Sequence, residues 1–283
     1  MTRPNGTFGA RLRSAMDARG PLCAGIDPHA GLLAAWDLPE TVAGLREFSL
    51  RAAEALGPVA AAIKPQSAFF ERFGSAGIAV LEETIRVCRE AGSLVVLDVK
   101  RGDIGSTAQA YADAYLDQSS PIAVDAITAS PFLGFGSLDP MIETARRNDA
   151  GVIVLALTSN PEGPEYQHAT KSDGRTVAGS VLDSLRAANA GAGPMGSFGA
   201  VVGATIDESV RGLGVDLDIA GPLLVPGIGA QGGTEDDVRR IFEGVLHLVL
   251  PASSREILSA GPEPAALRAA AEQAATTFAA VAR

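Results

Sequence analysis

The string Asp98-Val99-Lys100-Arg101-Gly102-Asp103 sets two carboxylates and an ammonium within six residues at the end of an apolar run. If that run is a strand, two-residue alternation points Asp98 and Lys100 to one face, with Asp103 just past the strand end. Lys64 closes a second apolar run and brings another ammonium. Lysine is scarce: Lys64, Lys100 and Lys171 are the whole complement, and arginine carries the rest of the positive charge. A chain that uses arginine so consistently keeps lysine where a compact ammonium is chemically required. Two carboxylates and two ammoniums form a net-neutral set that can be buried if every member is hydrogen-bonded. Such a set can stabilise a developing anion and then hand it a proton. On spacing alone a purely structural ion-pair network fits too, and either lysine could snorkel at a strand edge.

Something must hold these groups together, and the sequence pattern says what. Eight short apolar runs recur along the chain: Leu22–Ile26, Val59–Ile63, Leu94–Val99, Val124–Thr128, Val152–Leu157, Ala200–Thr205, Leu223–Val225 and Leu246–Leu250. Helical stretches separate them: Thr41–Ala55, Ala76–Ala91, Ser106–Tyr115, Asp139–Arg147, Thr176–Ala188, Asp207–Gly212 and Glu235–Glu243. Continuous apolar strands alternating with helices predict a parallel sheet buried on both faces. Eight such units predict an α/β fold with a single (β/α)8 TIM barrel over residues 1–283. An N-terminal helix over 6–19 presents Phe8, Leu12 and Met16 on one face, and an alanine-rich helix over 264–281 ends the chain. The first twenty residues hold Arg3, Arg11, Arg13 and Arg19 without an apolar run of secretory length, so they read as this helix and not as a targeting peptide.

Barrels of this kind do their chemistry at the C-terminal ends of the strands. Polar residues stand at that end of nearly every run: Asp27, Lys64, the Asp98–Asp103 string, Thr128, Ser159, Thr205, Pro226-Gly227-Ile228-Gly229 and Ser253-Ser254-Arg255. The Gly227–Gly232 stretch meets a G-x-G-x-x-G spacing, but it follows the seventh run with no suitable acidic residue downstream. It reads as a loop that cradles phosphate and not as a dinucleotide site.

Composition narrows the partners. The formal charge of −10 and a pI near 4.8 argue against nucleic acid and anionic membranes. No stretch approaches the roughly 20 apolar residues of a membrane span. Cys23 and Cys88 make neither a metal pattern nor a disulfide framework and suit a reducing cytoplasm. His29, His168 and His247 are not spaced as metal ligands, with His168 in a polar loop and His247 packed within the eighth strand.

Asp98-Val99-Lys100-Arg101-Gly102-Asp103-Ile104-Gly105-Ser106-Thr107 resembles the D-x-K-x-x-D-I-G-x-T signature of the orotidine 5′-phosphate decarboxylase family, in the form typical of its longer-chain subgroup. Gly25-Ile26-Asp27-Pro28, Ile63-Lys64-Pro65-Gln66, Thr158-Ser159-Asn160-Pro161, Pro226–Gly233 and Ser254-Arg255 resemble further family motifs in order, from about residue 20 to about 260. The resemblance implies cofactor-free, metal-free decarboxylation of orotidine 5′-monophosphate to UMP in pyrimidine biosynthesis, by a cytoplasmic homodimer. It implies that Lys100 protonates C6 of the pyrimidine, with Asp98 against the scissile carboxylate between Lys64 and Lys100. Asp103 and Thr107 would reach into the other subunit's site. Asp27 and Lys64 would bind ribose hydroxyls, Ser159 the pyrimidine amide edge, and Gln231 and Arg255 the phosphate. Glu256 departs from the pattern, because a carboxylate beside a phosphate site must turn away.

Two rivals remain. Magnesium-dependent sugar-phosphate decarboxylases and aldolases resemble this barrel and share D-x-K-x-x-D, but they carry a metal-binding glutamate where this chain has Lys64. An ammonium there would repel Mg²⁺, which takes oxygen ligands. The second rival is a catalytically inactive barrel that only binds nucleotides; loss of a member of the charged set would favour it, and all four are present.

Overall fold

Eight parallel strands close on themselves in sequence order, β1 pairing with both β2 and β8. They are β1 Cys23–Ile26, β2 Ala62–Pro65, β3 Leu94–Arg101, β4 Ala126–Ala129, β5 Gly151–Leu157, β6 Phe198–Val202, β7 Leu223–Pro226 and β8 Val249–Ser253. The fold is a TIM barrel, seen in a computed structural model that describes residues 6–206, 212–228 and 232–281. Buried Val, Ile, Leu and Ala on both faces explain the unbroken apolar runs, because one face fills the barrel and the other meets helices.

Among the described residues the helices are α1 Phe8–Arg19, α2 Ala30–Ala35, α3 Val42–Leu56, α4 Ala68–Glu71, α5 Gly74–Glu90, α6 Gly105–Leu116, α7 Asp139–Arg147, α8 Gly163–Gln167, α9 Val177–Ala188, α10 Glu235–Ile241, α11 Arg255–Leu258 and α12 Pro264–Val281. Threonines start several of them. Thr41 and Thr176 accept from the backbone N–H three residues on, and Thr234 forms a reciprocal capping box with Asp237. The expected helix at Asp207–Gly212 falls largely on 207–211, outside the described residues.

Helix α1 closes the end of the barrel away from the strand C-termini. Phe8 is fully buried, and a Cβ on Gly151 would strike its ring at 2.3 Å, so β5 begins with a glycine. On the same helix Arg11 donates to Asp125 at 2.6 Å, both side chains about 5% exposed, and Asp125 also accepts from the Val95 N–H. Breaking a buried pair of this kind costs about 3–5 kcal/mol.

Several boundaries differ from the sequence reading. β2 runs Ala62–Pro65 in place of Val59–Ile63, so Lys64 lies within the strand. β6 stops at Val202, leaving Thr205 exposed beyond it. The eighth strand begins at Val249, after a short 3-10 turn over Leu246–Leu248. His247 therefore sits exposed on that turn and not packed in a strand.

Candidate active site

The C-terminal ends of the strands surround a cavity of about 410 Å³. Leu155, Val201 and Leu224 give it apolar walls, while Asp27, Lys64, Asp98, Lys100 and Thr128 bring polar groups from β1 to β4. Asp98 is the hub. Lys64 Nζ donates to its Oδ2 at 3.0 Å, Lys100 Nζ to its Oδ1 at 2.6 Å, and Thr128 Oγ1 to the same Oδ1 at 2.7 Å.

Burial divides the two lysines. The Lys64 side chain is 10% exposed and that of Lys100 is 45% exposed, so Lys100 is the ammonium open to solvent and to a ligand. Burial pushes the Asp98 carboxyl upward, but Lys64 and Lys100 outweigh it and hold the group down to about 2. Burial likewise disfavours the Lys64 ammonium, and the carboxylates of Asp98 and then Asp27 more than compensate, raising it above an ordinary lysine. Asp98 is therefore ionised at neutral pH, with the Lys64 and Lys100 side chains both donating to it.

Asp98 and Lys100 do face one cavity, though simple strand alternation is not the reason. The β3–β4 register shifts between Leu97 and Arg101, and Lys100 has φ +45°, a left-handed backbone rare for a residue with a Cβ. Gly102 follows because a Cβ there would meet the Ser130 carbonyl at 2.4 Å.

Asp103 stands apart from the other three charges within one chain. Its Oδ1 accepts from the Ile104 N–H, and neither Asp103 nor the exposed Thr107 lines the cavity. Asp27 lines it, with Oδ1 buried and unpartnered. Ser159 and Arg255 also line it, both exposed, from the end of β5 and the start of α11. Gln231 lies outside the described residues. Glu256, expected to turn away, contributes to the same wall as Arg255. Lys171 is a surface residue bonded to Ser180, so scarcity did not mark all three lysines.

His29, Gln66 and Phe69, to which the sequence motifs assign no role, also line the cavity. His29 caps α2 through Nδ1, which accepts weakly from the Leu32 N–H, while its buried Nε2 has no partner. Proximity to the Asp27 and Lys64 motifs was the available signal. Ser254 Oγ is a further buried, unpartnered atom at the cavity, close against Gly25, where a Cβ would meet the serine Cβ at 2.6 Å.

The pattern of the Orotidine 5′-phosphate decarboxylase / HUMPS family matches residues 20–270. A curated orotidine 5′-phosphate decarboxylase of Nocardioides sp. is 64% identical over 254 residues, 89% of this chain and 91% of the relative. The chain belongs to the orotidine 5′-phosphate decarboxylase family. As a member of that family it is an enzyme, a carboxy-lyase. The orotidine 5′-phosphate decarboxylase of Streptomyces coelicolor is 58% identical over 266 residues, 94% of this chain and 95% of that protein. Among solved structures, a Streptomyces avermitilis protein assigned to the same activity superposes with a TM-score of 0.95 at 56% identity, over 99% of this chain and 97% of its own. The OMP decarboxylase of Leishmania donovani superposes at 0.77 with 33% identity, over 98% and 99% of the two chains.

Proposed function

We propose that this chain decarboxylates orotidine 5′-monophosphate to UMP, in pyrimidine biosynthesis and in the cytoplasm, with Lys100 as the proton donor. The observation that carries the reading is the pair of ammoniums on one ionised carboxylate, Asp98, with Lys100 the more open of the two. Loss of carbon dioxide from C6 leaves an electron pair in an in-plane orbital that the ring cannot delocalise well. An ammonium fixed beside that carbon stabilises the pair as it develops and then supplies the proton. The low pKa of Asp98 keeps it ionised, so it orients both ammoniums without taking a proton from either.

The remaining roles follow the shape of the substrate. Asp27, whose buried Oδ1 lacks a partner, accepts from a ribose hydroxyl, and Lys64 donates to another. Ser159 meets the amide edge of the pyrimidine. Arg255, which lines the cavity, holds the phosphate together with Gln231. Holding the phosphate lets binding energy gained far from C6 favour the closed, reactive arrangement.

Asp103 and Thr107 serve the neighbouring subunit of a homodimer. Two features support this: neither residue lines its own chain's cavity, and Ile104 beside Asp103 is 61% exposed. Phe132, Leu133 and Tyr166 are also exposed, and the Phe132 and Tyr166 rings touch. Exposed aliphatic and aromatic groups suit a covered interface. The partner's Asp103 carboxylate would complete a net-neutral tetrad with Lys64, Asp98 and Lys100.

The reaction in this reading needs no metal or cofactor, because the group where the magnesium-dependent rival holds a carboxylate is the Lys64 ammonium. Purified protein treated exhaustively with a chelator should still bleach the orotate absorbance of its substrate at the untreated rate. Activity that disappears on chelation and returns with Mg²⁺ would sink the reading in favour of the sugar-phosphate branch.

A further inference from the structure

Thr128 does two jobs with one oxygen. It lies in β4, 1% exposed, and its Oγ1 donates to Asp98 Oδ1 at 2.7 Å while accepting from the Lys100 backbone N–H at 2.9 Å. The same Oδ1 accepts from Lys100 Nζ at 2.6 Å. These bonds close a ring that holds Lys100 at both ends, by its backbone N–H and by its ammonium.

The local backbone explains why such a ring is required. Register between β3 and β4 is interrupted from Leu97 to Arg101, so the regular ladder is broken around Lys100. A left-handed, non-glycine conformation is strained and persists only where the surroundings over-determine it. Lys100 has that conformation. The Thr128 hydroxyl stands in for the missing ladder partner. Its hydrogen has one sensible direction, because the ionised carboxylate only accepts and the N–H only donates.

We propose that Thr128 is a positioning residue for the decarboxylation: its hydroxyl fixes Asp98 and the strained backbone of Lys100 together, and so sets where the Lys100 ammonium stands. The inference rests on the reading of Lys100 as the proton donor. Without the hydroxyl, Lys100 can relax towards ordinary strand geometry and carry its ammonium off the reacting carbon. A misplacement on the order of 1 Å can cost about a hundredfold in rate.

The test compares kcat and KM on orotidine 5′-monophosphate for the parent, Thr128→Val, Thr128→Ser and Lys100→Ala, with UMP affinity by calorimetry as the check on a folded site. Valine keeps the shape and loses the hydroxyl; serine keeps the hydroxyl and loses the methyl. The expected result is a kcat about 10- to 100-fold lower in the valine variant, with KM and UMP affinity near the parent values and kcat largely restored in the serine variant. Parent-like kcat in Thr128→Val beside an inactive Lys100→Ala overturns the role of Thr128 and leaves that of Lys100 standing. Equal losses in the valine and serine variants also overturn it, since the methyl and not the hydroxyl would then matter. Full activity in Lys100→Ala overturns the underlying reading instead. Should the valine variant not fold, Thr128→Ala replaces it: a kcat loss that serine lacks supports the proposal, and equal kcat in alanine and serine variants refutes it.

Discussion

Replacing Asp98 by asparagine keeps the shape of the hub and removes the charge that Lys64 and Lys100 share. In the folded chain the two ammoniums overcome the effect of burial and lower the carboxyl from 3.8 to about 2. That displacement corresponds to about 2 kcal/mol of stability at neutral pH. The sign is that of a depressed carboxylate: the stabilisation is fully present above the unfolded value near 3.9 and is lost as pH falls through about 2. About half of it is gone at pH 3. Asparagine does not titrate, so the stability gap between parent and Asp98→Asn should narrow by about 1 kcal/mol between pH 6 and pH 3. At neutral pH the gap itself should be larger, about 3–5 kcal/mol, because Lys64 is left buried without its nearest counter-charge. Trp36, the single tryptophan and almost fully buried, reports unfolding in urea by its fluorescence. A gap that stays constant from pH 6 to pH 3, or that widens in acid, would refute the electrostatic account of Asp98.

Arg255→Ala should weaken binding of nucleotide monophosphates, while orotidine lacking the phosphate is turned over equally by mutant and parent; equal damage to both substrates would show that Arg255 is not the phosphate grip. Lys100→Ala and Asp103→Ala dimers should each be nearly inactive, yet mixing them with subunit exchange should restore roughly a quarter of all pockets under two-fold symmetry. No recovery in heterodimers verified by native mass spectrometry would mean that Asp103 acts within its own chain. Cys23 and Cys88 are buried, and burial pushes both thiols up to about 12, so neither should react with an alkylating agent in the native protein near neutral pH; rapid labelling of either would contradict its burial.

Periodicity carried the architecture because barrel strands are apolar on both faces, and α7 and α12 appear at the boundaries their sequences suggest. Hydrophobicity was a poorer guide to where strands stop. The run at Val59–Ile63 ends at a charge, yet the strand continues through Lys64 and Pro65, because Asp98 on the next strand pays for burying that ammonium. His247 looked like part of an apolar strand, but the chain turns before Val249 and leaves the ring exposed. The short helices α2, α4, α8 and α11 carry too few turns to show a period.

Within the site, the Lys64–Asp98–Lys100 cluster was legible because charges at the ends of apolar runs have few places to go. The left-handed backbone of Lys100 was not, since it arises from a register shift against β4 that no local pattern announces. The two bonds of Thr128 depend on that shift and were hidden with it. Asp103 reads in sequence as a fourth member of the cluster, whereas within one chain it turns to the Ile104 N–H. In the proposed homodimer it is the partner's Asp103 that brings the set to four.

The most direct test of the central claim is the turnover of orotidine 5′-monophosphate by Lys100→Ala, measured beside its affinity for UMP. If the ammonium both stabilises the C6 carbanion and protonates it, kcat should fall by at least about 10⁴-fold while UMP still binds and the fold is intact. A folded, UMP-binding variant with kcat within tenfold of the parent would contradict the account and put the proton donor elsewhere.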